Sequence, residues 1–104
     1  MIPVMCVVQQ DQITADVAQT LKSAIGEFTQ QSFGADAEIA WIEIPAGSGF
    51  TAAKPSTTLI ASMHANRPLP QDVRVPLLKQ LGEICMDITG LSTNEVVTSI
   101  RDPQ

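Results

Sequence analysis

The chain has 104 residues and a net charge of −5, with 44% hydrophobic and 16% charged residues. That length suits one folded domain, and that composition excludes a disordered chain. No basic block is present to meet a nucleic-acid backbone, and no apolar run approaches the ~18 residues a membrane helix needs. The N-terminus lacks a basic segment ahead of an apolar core, so the expected location is the cytoplasm.

In chain order, PVMCVV (residues 3–8) is short, apolar and rich in valine, and predicts a buried strand. Residues 11–33 predict a helix, because Ile13, Val17, Leu21, Ile25 and Phe28 recur on one stripe. Asp11 or Thr14 suits its N-cap, and Gly34 suits a left-handed end. AEIAWIEIP (37–45) predicts a strand buried on much of both faces and ended by Pro45. AGSGFTAAKPS (46–56) is small and glycine-rich, a loop or hairpin arm. TTLIASMHA (57–65) is the next strand, and NRPLPQ breaks it. Residues 72–88 predict a second helix with Val73, Leu77, Leu78, Leu81, Ile84, Cys85 and Ile88 on its stripe. Pro76 is expected near the first turn, where a missing N–H does least harm, and Gly90 ends the helix. NEVVTSI (94–100) is the last strand.

The order is β-α-β, loop, β-α-β, an α+β two-layer domain over residues 1–104, with related units at about 1–45 and 57–103. Leu21-Lys22, Gly26-Glu27 and Gly34 in the first unit answer to Leu78-Lys79, Gly82-Glu83 and Gly90 in the second. Two such units predict a four-stranded sheet with both helices on one face, because right-handed crossovers send both the same way. The other face then needs cover. Trp41 and the loop at 46–56 are candidates to meet another subunit, so an oligomer is expected. Cys6 and Cys85 are not at metal-ligand spacing, and a single histidine is too few for a typical zinc set. Both cysteines are expected to be buried, reduced and unlinked.

This order, together with PVMCVV, IPAGSGFTAAKPSTT and TGLSTNEVVTSI, resembles the tautomerase superfamily over nearly the whole chain. That superfamily includes 4-oxalocrotonate tautomerase, macrophage migration inhibitory factor and the cis-3-chloroacrylic acid dehalogenase group. The resemblance implies cofactor-independent acid–base chemistry on a small 2-oxo acid or enol. An N-terminal proline amine is the base there, in a homotrimer. Pro3 matches that proline. Met1 and Ile2 precede it, and bulky Ile2 opposes methionine removal, so the chain as written holds Pro3 nitrogen as an amide.

The resemblance also implies binding residues. Two arginines hold a substrate carboxylate in the dehalogenase-like members, and His64 and Arg67 stand at those positions. Arg67 keeps the bidentate chemistry. His64 is either an anion donor or a strand-end histidine bonded to backbone. Phe50 matches an aromatic that walls the pocket, and Lys54 ends the small-residue loop with a positive charge. Thr29 stands where some dehalogenases carry a histidine, and the chain ends at Gln104 without their acidic tail, which counts against water activation. Three functions stay open: a proline-amine isomerase with a small carboxylate substrate, a non-catalytic homologue that binds a ligand or partner, or an unrelated ferredoxin-like module that binds a small metabolite, against which the repeat and the segment IPAGSGFTAAKPSTT count. The expected discriminator is an amine at Pro3: a chain beginning there should gain tautomerase activity.

Overall fold

The structure, a computed structural model, describes residues 1–47, 49–51, 54–56 and 58–103, with side chains over 1–47 and 58–103. Its elements are β1 (Ile2–Gln9), α1 (Ala15–Phe33), β2 (Ala37–Ile44), β3 (Gly49–Thr51), β4 (Lys54–Ser56), β5 (Leu59–His64), α2 (Gln71–Thr89) and β6 (Val96–Arg101). The main sheet has the order β2-β1-β5-β6. Its outer pairs β1–β2 and β5–β6 are parallel, and its central pair β1–β5 is antiparallel. β3 and β4 form a separate antiparallel hairpin.

The two halves repeat in detail. Both helices have 19 residues and end at a left-handed glycine, Gly34 and Gly90. Each glycine N–H closes the last turn, on Gln30 and Met86 carbonyls. α1 starts at Ala15, later than its apolar stripe suggests. Asp11 takes a positive φ of 60° in the turn after β1, which stops the helix from reaching back. Thr14 is the cap that forms, accepting from Val17 N–H. Pro76 lies inside α2 rather than in its first turn. It sits on an exposed side, where solvent can satisfy the carbonyl it leaves without a partner.

Alternation along the strands divides the sheet into a covered and an open face. Ile2, Val4, Cys6 and Val8 of β1 are at most 2% exposed and pack with Leu59, Ala61 and Met63 against Leu21, Ile25, Phe28, Leu81 and Cys85. Both helices therefore cover one face. β2 was expected to be buried on much of both faces. Instead Glu38, Ala40 and Ile42 are exposed on the open side, because nothing among the described residues covers them. Trp41 turns to the covered side, where Lys22 Nζ lies 4.8 Å from its ring.

Both cysteines are free and buried. Burial pushes the Cys6 thiol up to about 11 and Cys85 up to about 12. The thiolate is the nucleophile, so the folded protein should take up no thiol reagent at pH 8, while urea should expose both sulfurs. Rapid labelling of either under native conditions, read by mass, would show an open core.

A 3-10 turn, Thr93–Glu95, precedes β6, with a reciprocal Ser92 and Glu95 capping box. The Ser92 backbone N–H holds the Glu95 carboxyl below its ordinary 4.5, assisted by the Ser92 hydroxyl. A depressed carboxyl stabilises the folded state above its unfolded value and loses that contribution as pH falls through the folded one. The turn should therefore loosen only below pH 4.5, which Ser92 amide shifts would report.

Candidate functional site

The open face is ordered in rows across the sheet. Register aligns Ile42, Val7, Ile60 and Val97 in an apolar row, and Ala40, Met5, Ser62 and Ser99 in the next. A third row lies at the end where β1 begins. There Pro3 pairs with Glu38 on one side, and His64 pairs with Arg101 on the other. Pro3 and His64 stand one step beyond the Val4–Met63 pair that ends the central ladder. Glu38, Pro3, His64 and Arg101 thus come from four neighbouring strands and face the same side.

An open groove of about 410 Å³ follows this end of the face. Pro3, Met5, Glu38, Ser62, His64 and Arg101 are among its lining residues. Arg101 donates to Ser62 Oγ at 3.1 Å, and Ser62 and Ser99 hydroxyls share a bond of 2.7 Å. Ser62 is only 7% exposed, so this chain ties the guanidinium to the sheet. His64 Nδ1 lies 2.9 Å from the Asp102 carbonyl oxygen. The strand-end histidine does bond to backbone, and its ring also borders the groove.

Pro3 is exposed, but its neighbour is not. Ile2 is 0% exposed in the core cluster, and its N–H donates to the Asp36 carbonyl at 2.8 Å. That bond points towards β2. Alternation turns the next nitrogen, Pro3, towards β5, one step outside the central ladder, where the missing N–H is tolerated. Met1 is 74% exposed. Ile2 is therefore an integral first residue of β1. While it is attached, Pro3 nitrogen is an acylated tertiary amide and accepts no proton.

Arg67 is placed elsewhere. Its guanidinium donates to the Ser32 carbonyl at 3.3 Å and lies 5.5 Å from the Phe33 ring. Asn66 donates to the Phe33 carbonyl at 2.9 Å. Both residues serve the C-terminal carbonyls of α1, a position that favours cations, and neither lines the groove. Phe50 lies in β3 and Lys54 in β4, as hairpin partners of Pro55 and Thr51. Their side chains lie outside the described residues. Thr29 is buried and donates within α1 to the Gly26 carbonyl at 3.0 Å. Sequence reasoning missed Arg101, Ser62 and Glu38. Alternation along β6 puts Val97, Ser99 and Arg101 on one face, but only the register with β5 brings Arg101 beside His64.

Among the described residues, no group of three or more His, Cys, Asp and Glu side chains could hold a metal ion, and no helix is long and apolar enough to cross a membrane.

No protein-family profile matches the chain, and no curated protein matches it in sequence. Solved structures do match. Native Ps01740 superposes with a TM-score of 0.85 at 24% identity, over 97% of this chain and 93% of that one. A fused 4-OT wild type symmetric trimer gives 0.83 at 16% identity, over 97% and 85%. Pt0534 inactivated by 2-oxo-3-pentynoate gives 0.82 at 20% identity, again over 97% and 85%. With the double β-α-β sheet, these likenesses define the class. The chain has the tautomerase superfamily fold.

Proposed function

We propose that the open-face groove binds a small 2-oxo carboxylate and that the protein interconverts its keto and enol forms. The observation that carries this reading is the row Glu38, Pro3, His64 and Arg101, which sets a guanidinium, an imidazole and an exposed proline around one groove. Arg101, steadied by Ser62, holds the carboxylate by charge-assisted hydrogen bonds. Met5 and Pro3 offer an apolar floor for the carbon chain. The neighbouring fold supports the substrate class, since Pt0534 is inactivated by 2-oxo-3-pentynoate. Proline-amine chemistry at Pro3 requires a chain that begins there, and the burial of Ile2 opposes that. Calorimetric titration with phenylpyruvate tests the reading. Saturable binding that acetate at high concentration displaces is expected. Absence of binding at millimolar phenylpyruvate would reject it.

The assembly that fits is a homotrimer that meets along the apolar row of the open face and leaves the groove at its end open. Ile42 and Val97 are 40% and 45% exposed in that row, an apolar stretch for a neighbouring subunit to cover. A 4-OT neighbour of the same fold is a symmetric trimer. Light scattering at micromolar concentration should return three times the chain mass of 11.1 kDa. A monomer would contradict the assembly.

A further inference from the structure

We infer that Glu38 makes the open-face groove a site for 2-oxo monocarboxylates and turns 2-oxo dicarboxylates away. The inference rests on the reading above and narrows its substrate class. The groove crosses the sheet, since its lining residues come from β2, β1, β5 and β6. Its formal charges stand at opposite ends of that path. Glu38 lies on the edge strand β2, and Arg101 lies on the opposite edge strand β6. Among the described residues that line the groove, Glu38 is the only carboxylate. Glu43, the other acidic residue of β2, pairs with Val8 and has the opposite parity along the strand, so it does not share this face.

The Arg101 side chain reaches over β5, where its guanidinium donates to Ser62 Oγ at 3.1 Å. Ser62 belongs to β5, two strands from β2. Neighbouring strands lie ~4.8 Å apart, so the cation and Glu38 stand roughly 10 Å apart across the strands. The floor between them is β1. Pro3, exposed and paired with Glu38, and Met5, 40% exposed, make that floor, and neither side chain carries a charge. His64, the ladder partner of Arg101, stands at the cation's end. A 2-oxo acid held by Arg101 through its carboxylate lays its remaining carbons along this floor. An apolar tail meets Met5 and Pro3. A second carboxylate loses water on the same floor and is carried off the cation towards a like charge, and both effects oppose binding. Reversing the ligand changes nothing, because a diacid presents a carboxylate at either end.

Calorimetric titration of the full chain with 2-oxohexanoate and 2-oxoglutarate, acids of similar length, reads the preference as a ratio of dissociation constants. The monocarboxylate should bind more tightly by ~5–20-fold, the effect of a like charge a few ångströms away in partly hydrated surroundings. Glu38→Gln removes the charge and keeps the size, so the preference should shrink. Glu38→Lys puts a cation in the same place, so the preference should shrink further or invert. Glu38 is exposed at a sheet edge, so both variants should fold. A ratio that is the same in all three proteins overturns the assignment. So does tighter binding of 2-oxoglutarate by the unsubstituted protein. Either result, obtained with binding intact, strikes the role of Glu38 alone. Failure of the unsubstituted protein to bind either acid is a separate result. It rejects the 2-oxo acid reading and the assignment with it.

Discussion

Beginning the chain at Pro3 will destabilise the fold by roughly 2–5 kcal/mol, the range for deleting a large buried aliphatic side chain. Ile2 is 0% exposed among the core residues and opposite Ala37 in the β1–β2 ladder. Its N–H bond to Asp36 is lost with it, a further contribution of about 1 kcal/mol. Small domains have only about 5–15 kcal/mol in total, so the loss is a large fraction of it. Urea unfolding should show a lower midpoint with little change in slope. Ile2→Val should lose only ~0.5–1.5 kcal/mol, because one methylene goes and the strand stays. Equal midpoints for all three proteins would mean that Ile2 is no part of the core. The shortened chain gains a secondary amine at the same place in the groove. Whatever the amine adds to catalysis, it comes with a weakened core.

Arg101→Ala should weaken phenylpyruvate binding by about 1.5–3 kcal/mol, or ~10–150-fold, the range for a hydrogen bond to a charged group. The guanidinium lines the groove and is tied to Ser62 at 3.1 Å, so little reorganisation precedes binding. Arg101→Lys should recover only part of the loss, because an ammonium cannot form the two parallel bonds of the fork. Arg67→Ala should behave differently. It removes a donor to the Ser32 carbonyl and a cation from the Phe33 ring, so it should lower stability modestly and leave binding unchanged. Reversed outcomes for the two arginines would move the carboxylate site to the end of α1.

The helices were legible because their signals are local. Leu21, Ile25 and Phe28 recur at helical spacing, and Gly34 and Gly90 mark the ends where only a left-handed residue fits. The late start of α1 was not legible, because Asp11 adopts its positive φ only in the folded turn after β1. The apolar type of Ile42 predicts burial; its face is open because nothing among the described residues covers it. The resemblance alone makes Ile2 an addition ahead of Pro3. Its alternation with Val4, Cys6 and Val8 carried the opposite message, that it is the first inward residue of the strand. The site was less legible than the fold. His64 borders the groove, but its ladder partner Arg101 depends on a parallel register that no local pattern encodes. Arg67 follows a strand end at the expected spacing, yet the carbonyls at the end of α1 claim it. The link between chain position and site was lost where a helix end competed for the same cation.

The most direct test of the account is proton exchange at carbon. The full chain, with Met1 confirmed by intact mass, is mixed with 2-oxobutyrate in deuterated buffer, and loss of the C3 proton signal is followed by NMR. The account predicts exchange well above the buffer rate, reduced in Arg101→Ala at subsaturating substrate. Exchange at the buffer rate in the full chain would contradict it, all the more if a chain beginning at Pro3 exchanges rapidly and so places the base on the proline nitrogen.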